Sequence, residues 1–93
     1  MTWAQGLSDA IGYVGQETLQ YAAEMMVDVS EDDVSQHQTW IHAFDESLSQ
    51  CRAGNKRVLS IVNTYGIHAV TLPSTQRMLE EFRRFYLQEY ESR

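Results

Sequence analysis

The sequence predicts an all-α fold, a small bundle of about four helices with one of them short. Apolar residues recur at steps of three and four along most of the chain, the repeat of one helix face. A single proline and five glycines leave little turn material for a many-stranded sheet. Helix-start signatures precede three of the apolar runs: Thr2-Trp3-Ala4-Gln5, Ser30-Glu31-Asp32-Asp33 and Pro73-Ser74-Thr75. The 93 residues suffice for one domain, spanning 1–93, and not for two.

The first helix begins at Thr2, whose hydroxyl can accept from the Gln5 amide while the Gln5 side chain reaches back. Leu7, Ile11, Val14, Thr18, Ala22, Met25 and Val29 then share one face, so a single helix is expected to run to residue 29. At about 100° per residue, Asp9, Glu17, Glu24 and Asp28 fall on a neighbouring flank. Gly12 and Gly15 weaken such a helix by about 1 kcal/mol each relative to alanine. They mark a close helix approach, or a start delayed to Ser8.

Ser30 is expected to cap the second helix, with Glu31, Asp32 and Asp33 in a first turn that meets the positive end of the helix dipole. Val34, His37, Ile41, Phe44, Leu48 and Cys51 form its inward stripe, and Ala53-Gly54-Asn55 ends it. In the next segment Val58, Ile61, Val62 and Tyr65 share a face that Gly66 would cap, which favours a short helix. The β-branched residues there, with Asn63-Thr64-Tyr65-Gly66 as a turn, leave an α+β alternative with a hairpin at 58–72. Pro73-Ser74-Thr75 opens the last helix. Its apolar arc of Met78, Leu79, Phe82, Phe85, Tyr86 and Tyr90 is broad.

Residues 30–51, SEDDVSQHQTWIHAFDESLSQC, raise the question of chemistry. His37 and His42 are five residues apart, about 140° around a helix, and do not meet. His42 and Glu46 have ligand spacing without a third ligand, so neither a metal nor a cofactor is expected. His37 lies in the apolar stripe. It reads as a core histidine satisfied by one hydrogen bond, with Asp33 in reach, or as a group whose protonation loosens the core below about pH 6.5. Cys51 reads as a small buried hydrophobe. No phosphate loop and no GxSxG or HExxH pattern occurs, and no enzymatic activity is expected. VLSIVNTYG followed by TQRMLEEFRRF imitates a helix-turn-helix. The link is long, contains Pro73, and the second helix carries Glu80 and Glu81, so no direct nucleic-acid contact is expected.

The net charge of −6 is unevenly spread. Residues 1–51 hold nine acids and no lysine or arginine, whereas residues 52–93 hold seven bases against four acids. That asymmetry points to a charged partner or to charge-guided packing. No charged-then-apolar leader opens the chain, no apolar run reaches membrane-spanning length, and there is one cysteine, so a cytoplasmic protein is expected. The function expected is a small acidic helical interaction module, a regulator, inhibitor, adaptor or chaperone that binds another protein. Its candidate contact residues are Glu17, Glu24, Asp28, Glu31, Asp32 and Asp33 on the acidic side. On the last helix they are Phe85, Tyr86 and Tyr90, in a segment that mixes aromatics with arginine. The breadth of the last apolar arc also suggests a homodimer. Two alternatives stand beside this: a nucleic-acid mimic that inhibits a DNA- or RNA-binding defence protein, and a small-ligand binder using His37, Trp40 or the tyrosines.

Overall fold

The computed structural model describes residues 2–93. They form five helices: α1 (Trp3–Val14), α2 (Leu19–Ser30), α3 (Val34–Arg52), α4 (Arg57–Asn63) and α5 (Leu72–Ser92). No strand occurs among the described residues, and the expected all-α class holds. α1 packs chiefly on α3, α2 chiefly on α5, and α3 joins the two pairs, while short α4 closes one end against α1.

The capping box at Thr2 forms as expected, with Gln5 N donating to Thr2 Oγ1 at 3.2 Å and Thr2 N donating to Gln5 Oε1 at 3.0 Å. The single long first helix does not form. Gly15 ends α1 at φ 50°, a conformation that glycine reaches without a Cβ clash, and Thr18 caps α2 by accepting from Tyr21 N at 3.1 Å. The break resets the helix phase. Ala22, Ala23, Met26, Val27 and Ser30 face inward, while Met25 and Val29, expected inside, are exposed. Ser30 is correspondingly not a cap but the buried last residue of α2. Asp33 caps α3 instead, accepting from Gln36 N at 3.1 Å.

α3 buries Trp40, Phe44, Leu48 and Cys51. Val34, placed in the stripe by spacing, is 61% exposed in the first turn. Gly6 makes the close α1–α3 approach: a Cβ there would stand 2.8 Å from the Ala43 Cβ. Arg57–Asn63 is the short helix rather than half of a hairpin at 58–72. The connection from α4 to α5 is a loop pinned by one side chain. Asn63 Nδ2 donates to the Ala69 carbonyl at 2.9 Å and Asn63 Oδ1 accepts from Ala69 N at 2.6 Å. Thr71 caps α5, with Pro73 in its first turn, two residues after the cap. Leu79, Phe82 and Tyr86 complete the core.

Candidate functional site

Two neighbouring features involve the residues singled out from sequence, one inside the bundle and one outside. Inside, the Tyr86 hydroxyl lies 2.7 Å from Ser30 Oγ and 2.8 Å from His37 Nδ1. The His37 ring stacks on Tyr90 at 3.7 Å between centroids and 15° between planes. Burial pushes the His37 pKa down and that of Tyr86 up. A neutral imidazole and an intact phenol are therefore the states this setting favours. His37 is half-buried at the edge of the core and not within it, and the one hydrogen bond expected of it is made to Tyr86 and not to Asp33. Beside it, Trp40 Nε1 donates to Asp9 Oδ2 at 3.0 Å, and Tyr13 and Tyr86 present edge contacts to the indole. These groups link α1, α2, α3 and α5. They form no nucleophile–base pair open to solvent.

Outside, α2 carries two parallel rows. Gln20, Glu24, Asp28 and Glu31 lie toward α5, where Gln20 Nε2 meets Glu89 Oε1 at 3.5 Å. Tyr21, Met25 and Val29, spaced by four, form the adjoining row and are 45%, 39% and 47% exposed. At the acidic row sits Arg93. Its Nε donates to Glu89 Oε2 at 2.8 Å, its Nη1 to Asp28 Oδ1 at 2.7 Å and to Glu31 Oε2 at 3.3 Å, and its Nη2 to the Glu24 carbonyl at 3.3 Å. The carboxylates of Glu89, Asp28 and Glu31 raise the Arg93 pKa further and hold it charged. Glu31, Asp32, Tyr90 and Arg93 line a depression of about 260 Å³ here.

The structure thus gathers Glu24, Asp28, Glu31, Asp32 and Tyr90 of the sequence-selected contact residues. It leaves the others elsewhere. Glu17 is exposed in the turn before α2, and Asp33 spends a carboxylate oxygen on its cap. Phe85 is half-buried with the Arg84 guanidinium 4.9 Å from its ring centroid. Tyr86 is fully buried and presents nothing to a partner. Asp9, expected on one flank with the other acids, stands on α1 and serves Trp40. The row Tyr21–Met25–Val29 was missed because the stripe was continued across Gly15. Gly15 followed by Thr18, a stop signal and then a start signal, is what would have revealed it.

A second depression of about 210 Å³ is lined by Ile67, His68, Ala69, Ser74, Thr75 and Met78. Among the described residues, no group of three or more histidine, cysteine or acidic side chains gathers to hold a metal ion. Nor is any helix there long and apolar enough to cross a membrane. No protein-family model, curated protein or solved structure with which the chain was compared matches it.

Proposed function

We propose that the protein is a non-enzymatic interaction module that binds another protein through the outer face of α2. The observation that carries this reading is the Tyr21–Met25–Val29 row. A helix whose opposite side already packs on α1, α3 and α5 keeps three large apolar side chains in solvent, bordered by carboxylates. Apolar groups in a line at helical spacing suit a partner helix laid alongside, and an acidic border steers its approach.

Nucleic-acid mimicry has weaker support. Glu24 and Asp28 stand one helical turn apart, roughly 6 Å at 1.5 Å per residue, against one charge per ~1.7 Å of duplex axis. Arg93 further interrupts the acidic run. The α5 arc that suggested a homodimer is largely spent inside, with Leu79, Phe82 and Tyr86 buried.

The test is site-specific photo-crosslinking in the source cell, with a photoreactive phenylalanine analogue replacing Tyr21 and, as control, Ser60. One adduct specific to position 21, and lost when Val29→Asp is added, is expected. Identical adduct patterns at both positions, or none at position 21, would overturn the reading.

A further inference from the structure

The manner in which Arg93 is held says what the acidic border of α2 binds. One guanidinium is shared by three carboxylates, Asp28, Glu31 and Glu89, and by the Glu24 carbonyl. The planar fork of arginine has donors enough for all four, whereas the three donors of a lysine ammonium radiate from one point. Three negative charges around one positive charge leave the border with a surplus of two. The side chains of Asp28 and Glu31 are 61% and 39% exposed, so the surplus faces water. Glu24 and Asp32 add to it without an ion pair of their own among the described residues. The apolar row begins one residue from this border, since Met25 follows Glu24 and Val29 follows Asp28 in the same two turns.

From this juxtaposition we infer that the occupant of the α2 face is an arginine-bearing amphipathic helix of a partner protein. Its apolar side lies along Tyr21, Met25 and Val29, its arginines engage Asp28 and Glu31, and Arg93 is an internal competitor for those carboxylates. The inference rests on the α2 docking reading and adds the chemistry of the partner and a restraint on its affinity. The competition follows from charge. A carboxylate already hydrogen-bonded to one guanidinium offers fewer lone pairs, and a weaker field, to the next. Arg93 therefore tempers binding of basic helices that lack a matching apolar side. A partner with both rows gains burial that Arg93 does not oppose.

The probe is a designed peptide of about 20 residues, beyond the length at which isolated helices are marginal in water, with leucines along one row and arginines along the next. It is titrated calorimetrically into the full chain at low and moderate salt, beside a control peptide with glutamates for arginines. The wild type is expected to bind the arginine peptide and not the glutamate one, and Met25→Ser to weaken binding about tenfold. Arg93→Gln is expected to tighten binding roughly two- to five-fold, as fits the removal of one competing surface ion pair, with a steeper salt dependence. Unchanged melting of Arg93→Gln by circular dichroism shows that the fold is intact. If wild type and Arg93→Gln bind equally, or Arg93→Gln binds more weakly, the inference fails and the docking reading stands. If neither binds the arginine peptide, the inference fails and the crosslink at position 21 decides the docking reading; if Met25→Ser changes nothing, the docking reading itself fails.

Discussion

A phenol has one proton to give, and the Tyr86 hydroxyl stands between Ser30 Oγ and His37 Nδ1. With His37 neutral and its proton on Nε2, every group has a use: Ser30 can donate to Tyr86, and Tyr86 to the bare Nδ1. Protonating His37 reverses that order, because Nδ1 then carries hydrogen and Tyr86 must turn its own toward Ser30. Burial lowers the His37 pKa below the ordinary 6.5. The unfolded chain then takes up a proton near pH 6.5, while the folded chain resists until lower pH. The His37 contribution is therefore fully present above about pH 6.5 and is lost as pH falls toward the lowered folded value. Urea midpoints are expected to drop between about pH 7.5 and 5.5, with a flatter profile in His37→Gln. A midpoint steady or rising on acidification contradicts this. From sequence, the apolar position of His37 was legible. Its partner, 49 residues away, was not, because only the packing of α3 on α5 brings them together.

The helix start at Thr2 was legible, whereas the side-chain caps Thr18, Asp33 and Thr71 were not: in the sequence Thr18 reads as part of a longer helix, Ser30 reads as the cap that Asp33 makes, and the last helix reads as opening at Pro73. The α1–α2 break was hidden because Val14, Thr18 and Ala22 continue the spacing of four straight through it. Periodicity reports a face only within one helix: the turn at Gly15 resets the phase, so the spacing carried past it picks out Thr18, Met25 and Val29, which are exposed. Glycine had the same ambiguity, with Gly6 and Gly12 both interior to α1. Alanine at either gains up to about 1 kcal/mol of helix propensity. At Gly6 the added methyl would meet the Ala43 Cβ at 2.8 Å, and overpacking costs about 1–3 kcal/mol. At Gly12 the nearest atom is the Tyr65 ring at 3.7 Å, an ordinary contact. Gly6→Ala is thus expected to lower Tm by a few degrees and Gly12→Ala to hold or raise it. Thermal melts that rank the two variants the other way contradict the assigned crossing.

Across the whole molecule the charge asymmetry is partly consumed in packing. Arg83 reaches Asp45 at 2.8 Å and Arg93 reaches Asp28 at 2.7 Å, so bases of the second half close on acids of the first. Exposed pairs of this kind contribute roughly 0–1 kcal/mol each. The core therefore decides the fold, and the charges that remain face solvent. With the arc of α5 folded inward, light scattering is expected to return about 10.7 kDa even at high concentration. A dimer abolished by Val29→Asp would instead make a second copy the occupant of α2. The two tryptophans have a consequence of their own. Trp40 is 1% exposed and bonded to Asp9 across the α1–α3 seam, while half-buried Trp3 has Arg57 5.8 Å from its ring centroid, at the seam between α1 and α4. A dry indole emits at shorter wavelength than a wet one. The chain thus carries two optical gauges on different seams. Replacing either indole with phenylalanine isolates the other, so the order in which the seams open becomes a matter of colour.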